Sequence, residues 1–112
     1  ALFLTTDLFL SSRVSSLARD SGVTIDVRSN IDTSEITAQT RLAIIDLGLR
    51  NLVIDSAVRE LRASNNDMQI IAYGPHVNAE LLDTANGAGC DTVMPRSQFD
   101  QQISAILNGL AG

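Results

Sequence analysis

The strongest place to look for chemistry in this chain is a carboxylate. The apolar run Leu42-Ala43-Ile44-Ile45 meets Asp46 and continues into Leu47-Gly48-Leu49. A run of that kind reads as a strand buried on both faces, where a charge has no place, so Asp46 belongs at the strand's open end. In an open parallel sheet, ligands and reacting groups sit at that end. A plainer reading stands beside it, in which Asp46 starts the next turn and Gly48 completes it. The other chemistry-bearing residues are isolated. His76 is the only histidine and lies in a Pro-His turn without a second His or Cys, which argues against a metal role. Cys90, the single cysteine, cannot form an internal disulfide and stands among small residues with no basic partner, so it reads as buried filler. Gly87-Ala88-Gly89 closes a helix, whereas a dinucleotide fingerprint opens one.

Composition narrows the function classes. The chain has 112 residues, 45% hydrophobic and 19% charged, enough for one globular domain with one core. A net charge of -5, no tryptophan and only four other aromatics argue against a nucleic-acid surface, which needs phosphate-neutralising cations and stacking faces; the eight basic residues are all arginine. No charged-then-apolar leader and no long apolar span occurs in these residues, so no membrane partner and a cytoplasmic location are expected.

The elements that must position Asp46 alternate between strand and helix. Leu2-Phe3-Leu4 is a short strand, and Thr5-Thr6-Asp7 at its end suit a helix N-cap. Leu10, Val14, Leu17 and Ala18 form one helical face, ended by Gly22. Val23, Ile25 and Val27 alternate with polar residues as in an edge strand, and Asp32 with Glu35 marks a short helix to Gln39. After the central strand, Ile54, Ala57, Val58 and Leu61 make a helical stripe. Gln69–Tyr73 is a strand closed by Gly74-Pro75, and Leu81, Leu82, Ala85 and Ala88 face inward from the next helix. Thr92-Val93-Met94 is the fifth strand. Ser97 with Asp100 resembles a capping box before a helix carrying Phe99, Ile103, Ile106 and Leu107. Met68 and Met94 are core candidates.

Five such units predict an α/β fold: a doubly wound, five-stranded parallel sheet of order 2-1-3-4-5 in three α/β/α layers, flavodoxin-like. The order reverses between the first and third strands, which brings Thr5, Thr6 and Asp7 beside Asp46. Gly74 and Arg96, ending the fourth and fifth strands, fall on the same rim.

Over its whole length, residues 1–112, the chain resembles a response-regulator receiver (CheY-like) domain. The run Ala88-Gly89-Cys90-Asp91 before Thr92-Val93-Met94-Pro95 is similar to that family's Ala-Gly-Ala-Asp approach to its last strand. The resemblance places Asp46 on the phosphoacceptor, Thr5 and Thr6 on the acidic pair, Gly74 on the Thr/Ser, and Arg96-Ser97 on the Lys-Pro. It implies a two-component signalling role.

The departures predict a degenerate, or pseudo-receiver, variant. Two threonines cannot supply the charge with which an acidic pair holds Mg²⁺. Asp7 and Asp46 remain weak candidates for metal ligands, and no cofactor is expected. Arg96 could pair with Asp46 as a bidentate fork. The expected function is a non-enzymatic protein-interaction domain in signalling, whose partner is a signalling protein or a second copy. The alternatives are a working receiver that accepts phosphate on Asp46, and a small-ligand-binding flavodoxin-like domain. The resemblance implies an interaction face edged by His76, Asn78, Glu80, Asp91 and Gln101. A second candidate surface involves Leu47, Leu49 and Leu52, though these read better as core beneath a loop, and Phe9 reads either as an exposed anchor or as a staple on the first helix.

Overall fold

The computed structural model describes residues 1–30, 40–49, 52–75 and 78–111. The helix expected over Asp32–Gln39 lies outside them, as does His76. The elements in chain order are β1 (Leu2–Leu4), α1 (Leu8–Asp20), β2 (Asp26–Arg28), β3 (Leu42–Asp46), α2 (Ile54–Ser64), β4 (Gln69–Gly74), α3 (Ala79–Gly87), β5 (Thr92–Pro95) and α4 (Arg96–Ala111). All five strands are parallel, in the order β2-β1-β3-β4-β5, as the apolar patterning predicts.

Strand alternation divides the core in two. Leu2, Leu4, Ala43, Ile45, Ile70 and Ala72 pack against the inner faces of α2 and α3. Phe3, Leu42, Ile44, Ile71, Tyr73 and Met94 pack against Leu10, Val14 and Ala18 of α1 and Phe99, Ile103 and Leu107 of α4. Leu47 and Leu49 are buried and Leu52 packs against the first of these clusters, so that trio is core beneath the β3–α2 loop. Met68 and Cys90 are buried there too. Burial, followed by the charge of Asp91, pushes the Cys90 thiol up to about 11, as befits filler.

Two boundaries differ from expectation. The second strand starts at Asp26, three residues after Val23, because the Val23 N–H returns to the Ala18 carbonyl (2.8 Å) to close α1 while Gly22 turns the chain at φ 75°. α4 starts directly at Arg96, so Ser97 stands inside its first turn instead of before it. Asp100 forms an ion pair with Arg13, and the expected capping box is replaced by that tie. Among the described residues, no helix is long and apolar enough to cross a membrane.

Candidate functional site

Register and parity build the rim. Leu4 is the partner of Ile45, and Asp46 of Tyr73, so Thr5, Asp46 and Tyr73 follow one another across β1, β3 and β4 on the α1/α4 side of the sheet. Thr5 is buried. Its hydroxyl donates to Asp46 Oδ2 at 2.7 Å and accepts the Asp7 N–H at 3.0 Å. Asp46 is half-buried, and its Oδ1 accepts the Gly48 N–H at 2.8 Å, so the carboxylate both ends the strand and holds the turn that follows. Asp46 thus stands at the strand's open end, where the sequence places it, and the turn expected at Gly48 hangs on its carboxylate.

Asp7 is the N-cap of α1, with Oδ1 accepting the Leu10 N–H at 3.0 Å. Its Oδ2 takes the Arg96 guanidinium at 2.7 Å. The Leu10 N–H first, then Arg96, holds its carboxyl below the usual carboxylate range. The expected pairing of Arg96 with Asp46 is thus corrected: the guanidinium goes to Asp7, whose free oxygen stands at the head of α1 facing the first turn of α4. Thr6 is exposed. Gly74 ends β4 where a Cβ would meet Leu47 Cβ at 3.3 Å and Leu82 Cδ2 at 3.6 Å, so this position faces the α2/α3 core and a side chain there would have to push Leu47 aside.

Sequence reasoning missed Tyr73. Its ring stacks on Phe99 (centroids 4.3 Å apart, 11° between planes) and meets Phe3 edge-on, while its hydroxyl is buried with no hydrogen-bond partner among the described residues. Burial and then the Asp46 charge push its pKa strongly up. Thr5 lies close enough to oppose them, without the geometry of a hydrogen bond, since its own proton goes to Asp46. The signal was the strand period: the chain's only tyrosine shares the parity of Asp46 and sits directly opposite it.

These donors do not fit Mg²⁺. The ion demands near-octahedral oxygen ligation built on carboxylates, yet every carboxylate oxygen of Asp7 and Asp46 is already engaged, by Leu10, Arg96, Gly48 and Thr5. Among the described residues, no group of three or more His, Cys, Asp or Glu side chains could hold a metal. An open surface cavity of about 420 Å³ lies away from the rim, where Asp55, Val58 and Arg59 of α2 face the end of α3 at Gly87–Gly89.

No family model and no curated protein sequence matches the chain. Solved structures do. A response regulator from Burkholderia pseudomallei, determined with a phosphorylated aspartic acid, calcium ion and citrate, is 18% identical with a TM-score of 0.76, covering 98% of this chain and 66% of that one. The signal receiver domain of a response regulator from Bermanella marisrubri is 16% identical with a TM-score of 0.75, covering 99% and 96%. A response regulator from Thermotoga maritima is 11% identical with a TM-score of 0.74, covering 96% and 95%. The five-stranded order, the layering of the helices and these superpositions together give this chain the CheY-like fold of response-regulator receiver domains.

Proposed function

We propose that residues 1–112 form a single signal-transduction domain that works by protein contact on a receiver scaffold, without metal-dependent phosphotransfer to Asp46 and with no catalytic step of its own. One observation carries the reading. Neutral donors from within the fold, Thr5 Oγ1 and the Gly48 N–H, already occupy both oxygens of Asp46, while threonines stand where an acidic pair would gather a cation. Phosphoryl transfer to a carboxylate needs its charge neutralised as it develops. The local cation, Arg96, is bound to Asp7.

The alternative, a phospho-accepting receiver, is favoured by one feature: Asp46 is partly accessible at the end of β3. Incubation with Mg²⁺ and beryllofluoride, followed by NMR, separates the two. The proposal expects no site-specific shifts around Asp46 and no acid-labile phosphate after exposure to a small phosphodonor. Either signal would establish the alternative.

A further inference from the structure

The hollow between α2 and the end of α3 is built from residues that the rim does not use. Asp55, Arg59 and Arg62 follow one another at i, i+4 and i+7, so all three stand on one flank of α2. Opposite them α3 ends in Gly87-Ala88-Gly89, and this change from side chains to nearly bare backbone leaves about 420 Å³ open. A Cβ placed at Gly87 would meet nothing within 4 Å. At Gly89, where φ is 103°, it would reach Val58 Cγ1 at 3.7 Å, so Val58 and glycine backbone form the floor.

Charges of both signs wall this hollow. Arg62 is fixed, because its two terminal nitrogens donate to the carbonyls of Asn66, Met68 and Gly89 and to Asp91 Oδ2, which also answers its charge. Asp55 and Arg59 are exposed and four residues apart, the spacing at which a helix usually pairs a carboxylate with a guanidinium. Among the described residues, neither makes an ion pair or a side-chain hydrogen bond. A plain anion would be drawn to Arg59 and repelled by Asp55, and a plain cation the reverse. Separate opposite charges on one wall call for a ligand that carries both.

We propose that the hollow between α2 and α3 binds a small zwitterion, a free amino acid or a short peptide, with its carboxylate on Arg59 and its ammonium on Asp55. The guanidinium offers a planar fork that matches a carboxylate. The volume falls within the range of small-molecule sites, roughly 300–1,000 Å³, and the fixed Arg62 with the glycine backbone gives the wall a preformed shape. Because both charged groups are exposed, the affinity is modest, with a Kd on the order of 1 mM. The hollow lies away from Asp46, so such binding is independent of whether that residue accepts phosphate.

NMR titration of the full chain with L-alanine and with L-alanyl-L-alanine tests it. The comparators are N-acetyl-L-alanine, which keeps only the carboxylate, and L-alanine methyl ester, which keeps only the ammonium. Saturable shifts are expected at Asp55–Arg59 and Gly87–Gly89 with at least one zwitterion, the tighter of the two showing whether an amino acid or a peptide fits the span between the charges. Both comparators should bind about fivefold more weakly, as should the zwitterion to Arg59→Gln and to Asp55→Asn. Glu60→Gln, on the same helix but outside the hollow, should leave binding unchanged. Gly87→Leu fills the hollow from a position with open space around it and favours the helix, so it should abolish binding with the fold intact, which keeps the test decisive if a charge variant disturbs α2. No saturable shifts with either zwitterion, equal binding of either comparator, equal weakening by Glu60→Gln, or undiminished binding to Gly87→Leu would each overturn the proposal. None of these outcomes bears on phosphate acceptance, which beryllofluoride reads separately.

Discussion

Replacing Tyr73 by phenylalanine should stabilise the protein, against the usual direction of core substitutions. The residue is 2% exposed, and phenylalanine keeps its stack on Phe99 and its edge contact with Phe3. Only the buried, unpartnered hydroxyl is lost. An unsatisfied buried donor costs about 1–3 kcal/mol. The oxygen-sized void left behind returns about 0.4 kcal/mol at ~24 cal/mol per Å³. The net gain is about 1 kcal/mol, or ~4 °C in Tm for a domain of this size. Urea denaturation followed by far-UV circular dichroism reads it as a higher midpoint with an unchanged slope. A loss of about 1 kcal/mol or more would refute the reasoning, because it would mean that the hydroxyl is bonded in solution, most directly to Thr5. The single tyrosine and absence of tryptophan make alkaline absorbance a second readout. Burial and the Asp46 charge raise the folded pKa above the unfolded value near 10. The stability linked to this group is therefore whole below about pH 10 and is lost as the pH rises towards the folded pKa, where only the unfolded chain ionises. Tyr73→Phe should flatten that alkaline loss.

Three further outcomes follow from particular contacts. The Arg62 guanidinium donates to the carbonyls of Met68, Asn66 and Gly89 and to Asp91 Oδ2, tying the end of α2 to β4 and the approach to β5. Arg62→Met should cost about 2–3 kcal/mol in denaturant, and Arg62→Lys should not rescue it, since a point charge cannot span those acceptors. For Asp7 the folded pKa is depressed, so its contribution is present above the unfolded value near 4 and lost as the pH falls through the folded pKa. Asp7→Asn, which keeps a capping oxygen but not the charge, should lose that pH-linked contribution at neutral pH and so show less acid sensitivity in pH-dependent melts, whereas Asp7→Ala, which also loses the cap, should cost about 1 kcal/mol more. Gly74→Thr, which would install a hydroxyl at the end of β4, should cost about 1–3 kcal/mol by overpacking against Leu47 and Leu82, read as a lowered denaturation midpoint.

Most of the sheet was legible because β1, β3 and β4 are apolar enough to be recognised singly, whereas β2 is exposed throughout; Leu42–Asp46 could only be central, since four consecutive buried residues leave no wet face. The rim followed from topology, which brought Thr5 and Asp46 together as expected. The finer contacts were not legible, for identifiable reasons. Val23 has the alternation of a strand, but its N–H is taken by the closing turn of α1, which no periodicity reveals. Ser97 and Asp100 have capping spacing, but β5 runs straight into α4, so extended Pro95 takes the position before the helix and Ser97 is already inside it. Phe9 admitted two roles, and only the helix phase set by Leu10 and Val14 decides that it is exposed.

The choice of Arg96 between two carboxylates has the same kind of cause. α1 and α4 lie side by side on one face of the sheet and start at the same end. They are joined at matching depths by Asp7 to Arg96, Arg13 to Asp100, and Ser21 to Asn108. Arg96 is the uppermost of these rungs, so its charge is fixed by the alignment of two helices. The pair is half-exposed on the arginine side and worth at most about 1 kcal/mol. Its effect is positional: it removes the rim's cation from Asp46 while neutral donors hold that carboxylate in place. A cation that occupies Asp46 must then come from outside the described rim. Removing Arg96 should accordingly loosen α1 against α4 and leave the Thr5–Asp46 bond intact. A double-mutant cycle between Arg96→Ala and Asp46→Ala that gives additive losses supports this assignment, whereas coupling above about 1 kcal/mol would return Arg96 to the carboxylate of Asp46.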